Sequence, residues 1–289
     1  MTEAATAPTA PPPDREPPEL VVIEPRARTP ILPVRELRQR YELLGFLVWR
    51  DVKIRYKQTA LGVVWALLQP LLAMLVFTVV FGRLARVGSD DVPYSLFAYA
   101  GLVPWLYASN ALQLSSNSLV DNEKLLSKVY LPRIMMPLSP ILAGLLDLGI
   151  ALVLLCALTV VQGVGLSWTV FAVAPFVLLV TVGLLGAGSL LSSLNVKYRD
   201  VRYAVPFFIQ VGMFASPVVY PSSLVPDAWR PVYALNPMVT AIDGVRWAVL
   251  GTPFPPALAV VVSVATAIAL LVGGGYAFHR SERTFADAL

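Results

Sequence analysis

The chain has one cysteine, one histidine and few charges. Asp, Glu, Lys and Arg together make up 14% of its 289 residues, against about 25% in an ordinary soluble domain. A single cysteine excludes an intrachain disulfide. Cys156 stands inside an apolar run and reads as a small packing residue. A single histidine, His279, excludes a His-rich metal site. No Gly-Lys dipeptide occurs anywhere, so the chain has no GxxxxGK[ST] loop to cradle ATP phosphates. No carboxylate cluster or metal-binding set marks a glycosyltransferase or other membrane enzyme. The N-terminus lacks the basic start and apolar core of a signal peptide.

Long apolar runs dominate what remains. Hydrophobic residues make up 57% of the chain and the mean hydropathy is +0.69. Six runs stand out, at residues 62–84, 95–119, 134–161, 168–194, 203–220 and 255–278. A helix needs about 20 mostly apolar residues to cross a hydrocarbon core of about 30 Å. Five runs meet that length and the fifth, 203–220, falls just short. Placing the N-terminus inside puts 18 of the 22 Lys and Arg on the inner side and leaves Arg83, Arg86, Arg230 and Arg246 outside. That asymmetry predicts an all-α polytopic membrane protein with six transmembrane helices, N-in and C-in. The pI near 9.2 does not call for nucleic acid. The cations hug the ends of the apolar runs, where topology and anionic headgroups of membrane lipids explain them.

Residues 1–33 are rich in Pro, Ala, Thr and Glu and read as a disordered cytoplasmic tail, either inert or touching a cytoplasmic partner. Residues 34–60 follow as an amphipathic segment, with Leu37, Tyr41, Leu44 and Val48 at helical spacing and Leu43, Phe46 and Leu47 widening the stripe. A helix with a basic face suits the cytoplasmic membrane surface, with Trp49 and Tyr56 as interfacial anchors. Its second half alternates charge with Val52, Ile54 and Tyr56, a strand-like pattern. The helical assignment stands because a lone strand at a surface leaves its backbone unpaired. Residues 61–289 form the transmembrane domain.

Several features admit two readings. Gln69-Pro70 in the first run kinks a helix that either lines a cavity or packs against a neighbour. Asp121 to Tyr130 form a cytoplasmic loop where Leu125, Leu126, Val129 and Tyr130 are apolar among polar residues. They fit a short helix docked in a soluble partner or folded back on the membrane domain. Asp147 lies in the third run, where a charge is expensive and faces protein or water. With no cation or histidine near it in sequence, a structural hydrogen bond outweighs a proton-coupled role. A secondary transporter needs paired ionisable groups and repeat symmetry, and neither is evident. Gly183, Gly186, Gly188, Ser189, Ser192 and Ser193 place the fourth run inside the bundle. After the short fifth span, prolines 217, 221, 226, 231 and 237 break a stretch still rich in apolar residues. Re-entrant half-helices buried against protein suit it best.

In order along the chain stand Arg50-Asp51-Val52-Lys53-Ile54-Arg55-Tyr56-Lys57 with Leu61-Gly62 and Trp65, then Pro70-Leu71 and Gly101-Leu102-Val103-Pro104-Trp105. After them come Lys128-Val129-Tyr130-Leu131-Pro132-Arg133, Asn195-Val196-Lys197-Tyr198-Arg199-Asp200-Val201, and Asn236-Pro237-Met238 with Arg246-Trp247. This series resembles the membrane subunit of ABC exporters for lipid-linked polysaccharides, the family that carries O-antigen, teichoic acid and mycobacterial galactan. The likeness covers roughly residues 35 to 280, and the long Pro-rich tail departs from it. It implies a homodimer in the bacterial cytoplasmic membrane with two ABC ATPase subunits beneath, which bind ATP and magnesium. This chain itself would hold no cofactor or metal. The implied cargo is a polyprenyl-diphosphate-linked polysaccharide.

The resemblance makes residues 37–57 an interface helix and gives Asp121, Glu123, Leu125, Leu126, Val129 and Tyr130 to a coupling helix in the ATPase groove. It sets re-entrant helices within 222–250, between the fifth and sixth spans. It implies a channel at the dimer interface, with Trp65, Phe77, Phe81, Phe207, Phe208 and Phe214 as candidate sliding surfaces for sugar. Core packing or a lipid-facing aromatic belt accounts for the same rings. Arg50, Lys53, Arg55 and Lys57 are candidates to hold the lipid diphosphate through charge-assisted hydrogen bonds. Positive-inside anchoring is the competing reading, and helical spacing sets Arg55 apart from the other three. Permeases of the same fold for drugs or other lipids are the nearest rival function.

Overall fold

A computed structural model describes residues 38–57, 62–128 and 131–282, with the backbone alone at 62, 63, 65 and 66. The N-terminal tail, Val129, Tyr130 and the side chain of Trp65 fall outside the described residues. Eight helices of a few turns or more make up the described chain: α1 Tyr41–Lys57, α2 Gly62–Phe77, α3 Tyr94–Asp121, α4 Met135–Val161, α5 Val173–Lys197, α6 Val201–Phe214, α7 Pro237–Leu250 and α8 Ala257–Glu282. No strand occurs among the described residues. α2 continues as a π-helix over Thr78–Leu84, and a 3-10 turn, Trp168–Ala172, leads into α5.

Local sequence sets several boundaries. Pro93 opens α3. Asn236 caps α7 by accepting a hydrogen bond from the Met238 amide, Pro237 fills the first helical position, and Gly251 at φ 73° ends the helix. Pro70, Pro104, Pro140 and Pro206 all sit inside helices. Neighbouring helices make that tolerable at membrane depth.

Among the described residues four helices are long and apolar enough to cross a membrane: Leu67–Leu84, Met135–Val161, Trp168–Lys197 and Ala257–Glu282. The other two apolar runs behave differently. Run 95–119 forms α3, which has the length at 28 residues but too many polar groups, including Asn110, Gln113, Ser115, Ser116, Asn117 and Ser118. α3 is the central helix, packed against α2, α4, α5, α6 and α7. A helix wrapped in protein has little need of an apolar surface on every side. Run 203–220 yields only α6. Its 14 residues extend about 21 Å at 1.5 Å per residue, and the chain then leaves helical geometry at Ala215.

α5 packs most extensively against α8 and α3. The close approach to α8 depends on two glycines. A Cβ at Gly186 would strike the Leu270 backbone, and one at Gly274 the Gly186 carbonyl. Gly183, Gly186, Gly188, Ser189, Ser192 and Ser193 are all buried, as small residues at a helix contact should be. Cys156 packs against the same main core, which joins α3, α4, α5 and α7.

A second apolar cluster gathers Leu47, Leu119, Leu131, Met135 and Phe278 at one end of the bundle. At the far end of α3 the segment after residue 220 forms two 3-10 turns, Ser222–Leu224 and Asp227–Trp229, a helical turn Arg230–Tyr233, and α7. α7 is buried along most of its length against α3 and α5.

Candidate functional site

α1 turns a mixed face toward α4. Leu47 is buried, with Leu43 and Leu44 beside it, in the cluster that holds Ile134 and Met135. One turn on, Asp51 accepts a hydrogen bond from the Ser139 hydroxyl. Near the end of α1, Arg55 forms an ion pair with Asp147, and the Tyr56 hydroxyl also donates to Asp147. The contacts on α4 climb from its first residues to its middle, so α1 runs up beside the first half of α4. Part of the expected apolar stripe does not pack on the bundle. Tyr41 and Phe46 are each 66% exposed, and the inward face is Leu43, Leu44, Leu47, Asp51 and Arg55. These positions follow the 3.6-residue repeat.

The lone Asp147 of the sequence is therefore not alone. Its cation lies 92 positions earlier, on a different helix. Burial raises the Tyr56 hydroxyl above its ordinary pKa, with the Arg55 charge opposing, so Tyr56 remains a proton donor to the carboxylate.

Beside this ion pair lies a cavity of 420 Å³ between α1, α2, α3 and α4. Its polar lining is Arg55, Tyr56, Gln69, Asn110, Gln113 and Asp147, and Pro70, Leu106 and Leu148 form part of its apolar wall. Gln69-Pro70 thus lines a cavity. The proline itself is buried, so the motif also packs.

The four basic candidates separate. Arg50, Lys53 and Lys57 line a shallow outward pocket with Phe46, Trp49 and Ile54. Arg50 is half-buried and donates to Asp51 at 2.8 and 3.0 Å. Lys53 and Lys57 are exposed, with the Lys53 ammonium 5.6 Å from the Trp49 ring centroid. Arg55 points to the other side, committed to Asp147.

The aromatic candidates also separate. Phe77 and Phe81 meet edge to face at 5.7 Å and pack against a cluster of Leu102, Trp105, Val218, Val219 and Ile242. Phe207, Phe208 and Phe214 on α6 are 61%, 68% and 55% exposed. The structure packs the first two, half-buried, against the core and leaves the other three on the surface of this protomer.

In the loop after α3, the described residues form one helical turn, Glu123–Leu126, set off by a break at Asn122. Asp121 ends α3 and pairs with Arg202 at the start of α6. Leu125 and Leu126 lie half-buried against the Leu47 cluster of their own chain, and Glu123 is exposed.

Sequence reasoning missed Arg246. Counted with the outer charges, it is 1% exposed. It donates to the Phe97 and Val218 carbonyls at 3.2 and 2.9 Å and lies 3.5 Å over the Phe97 ring. The available signal was a charge flanked by apolar residues in a segment already expected to be buried.

Known proteins resemble this chain in sequence. An O-antigen export system permease protein RfbA of Myxococcus xanthus is 30% identical over 89% of this chain and 98% of its own length. Another from Klebsiella pneumoniae is 26% identical over 70% of this chain and 78% of its own. The polysialic acid transport protein KpsM of Escherichia coli is 24% identical over 71% of this chain and 80% of its own. The family model for the ABC-2 type transporter matches residues 42–250, from α1 to the end of α7, and the chain belongs to that family.

Proposed function

We propose that this chain is the membrane subunit of an ATP-driven exporter that carries a lipid-linked polysaccharide across the bacterial cytoplasmic membrane. The observation that carries this reading is the likeness to an O-antigen export permease along almost its entire length. The geometry supports it. A polar cavity lies inside an apolar bundle on one side of α1, and on its other side Lys53 and Lys57 suit the charged head of a polyprenyl diphosphate. Six spans follow if protein-wrapped α3 and short α6 cross with the four apolar helices, N-in and C-in by charge. The exposed rings of α6, Phe207, Phe208 and Phe214, then face a channel between two copies of the chain.

ATP and its magnesium ion belong to a separate ABC ATPase, two copies to each permease pair. The turn at Glu123–Leu126, with Asp121, Val129 and Tyr130 around it, is the proposed contact to that ATPase. Asp147 is structural, because Arg55 and Tyr56 already satisfy it.

Deleting the chain in its host tests the reading. The expected result is loss of the polymer from the cell surface, with lipid-linked polymer accumulating in the inner leaflet and re-supply restoring export. Unchanged surface polysaccharide after deletion would overturn it. Leu125→Asp should lower co-purification of the ATPase while the permease still inserts, and wild-type recovery with normal export would remove the coupling role.

A further inference from the structure

At the end of α3 remote from the Leu47 cluster lies a second cavity, of 250 Å³. Separate segments build it. Asp90 comes from the loop before α3, Ser222 and Arg230 from the turns after α6, Asp243 and Arg246 from α7, and Phe254 from the stretch before α8. Two of the three guanidinium nitrogens of Arg246 are committed to backbone carbonyls, Nε to Phe97 and Nη2 to Val218. Together with the Phe97 ring they fix where Nη1 lies. Nη1 is buried and has no hydrogen-bond partner among the described residues. The nearest carboxylate oxygen, Asp243 Oδ1, is 3.7 Å away, beyond hydrogen-bond length. The other oxygen of Asp243 accepts from Ser222 at 2.5 Å.

A fixed, buried donor is thus held beside a carboxylate oxygen that lies too far away to accept from it. Leaving such a donor unsatisfied is expensive, and one group satisfies both sides. A hydroxyl accepts from Nη1 and donates to Oδ1 at the same atom. Arg230 is paired with Asp227, so Arg246 faces Asp90 and Asp243 across the cavity; the carboxylates disfavour an anion, and the free Nη1 donor calls for an acceptor and not a cation. Phe254, 52% exposed, adds a flat apolar wall. Its volume lies below the roughly 300–1,000 Å³ of sites for drug-sized ligands, a size for one ring and not a chain. Hydroxyls beside an apolar ring face are the chemistry of a pyranose.

The geometry points to a subsite for one neutral sugar ring at Arg246 and Asp243, resting on the export reading in that the ring would belong to the exported polymer. The test uses the full chain in lipid nanodiscs and saturation-transfer NMR with the methyl glycosides of glucose, galactose and mannose. A saturable signal at millimolar concentration is expected for at least one glycoside. Phe254→Leu, at an exposed ring, should weaken it at least fivefold with unchanged thermal stability, as should Asp243→Asn wherever that variant folds. Inorganic phosphate should not compete. Absence of any saturable glycoside signal would mean that water alone fills the site and would overturn the proposal. A signal indifferent to Phe254→Leu, or displaced by phosphate, would overturn it as well. Export of polysaccharide without glycoside binding removes the subsite and leaves the export reading. Glycoside binding in a chain whose deletion spares surface polysaccharide does the reverse.

Discussion

Two arginine–aspartate pairs stand in contrast in this molecule. Arg55 and Asp147 join different helices, α1 and α4, with side chains 29% and 28% exposed beside an open cavity. Arg246 and Asp243 share one helix, and the Arg246 side chain is 2% exposed. The first pair has a second donor in Tyr56 and solvent within reach. The second has backbone carbonyls as partners for its arginine and no freedom to move. The difference is one of replaceability. A part-exposed pair that loses a partner is rehydrated, whereas a buried one leaves an uncompensated charge or two orphaned carbonyls.

The largest expected effect follows from the buried pair. Arg246→Met keeps the apolar stem but strips donors from Phe97 and Val218 and isolates Asp243. Breaking a buried pair this way costs about 3–5 kcal/mol. Folded yield in detergent should collapse, and size-exclusion profiles will show it. Arg246→Lys should rescue it only in part, because a lysine cannot reproduce the planar fork that serves two carbonyls. Near-wild-type yield of the Met variant would abolish the distinction between the pairs.

A smaller loss should attend removal of the part-exposed pair. Asp147→Asn should lower stability by about 1–2 kcal/mol, since the amide still accepts from Tyr56, and Arg55→Gln by up to about 3 kcal/mol, since it leaves the carboxylate without its cation inside a span. Hydrogen exchange should rise along α1, whose hold on α4 is weakened. ATP-driven export should persist in Asp147→Asn. Abolished export with normal assembly would show that the carboxylate does more than tie two helices. A double-mutant cycle on stability across Arg55 and Asp147 then measures how much of the effect is their mutual coupling.

The smallest effect on stability, with the sharpest effect on function, belongs to the cations outside either pair. Lys53→Gln with Lys57→Gln should change thermal stability by less than about 0.5 kcal/mol, as surface substitutions do. Insertion should stay normal because the other inner cations hold the topology. Polymer export and substrate-stimulated ATP hydrolysis should fall if these residues hold a diphosphate head. Unchanged export would leave them as anchors.

Much of the architecture was legible in the chain. Apolar runs of about 20 residues announce helices whatever their neighbours, because the bilayer demands that backbone groups pair within the segment. The small residues of α5 marked a helix contact, whereas Pro237, read as a break, opens α7. The spacing of α1 already separated Arg55 from Arg50, Lys53 and Lys57. The face of α1 against α4 was not legible, because it is half polar and its partners, Ser139 and Asp147, lie far along the chain.

The sequence by itself determined the class of the molecule, its helical segments and the asymmetry of its cations, since these depend on local composition and period. Only the tertiary structure decided which charges are neutralised and where. Arg55 meets Asp147 across 92 residues, and Arg246 bonds to Phe97 across 149. Such pairings are created by packing and leave no local trace in either partner's neighbourhood. Packing also decided that α3 lies wrapped in protein and that α6 stops at 14 residues. Hydropathy measures what a side chain would prefer to touch, and the fold alone determines what surrounds it.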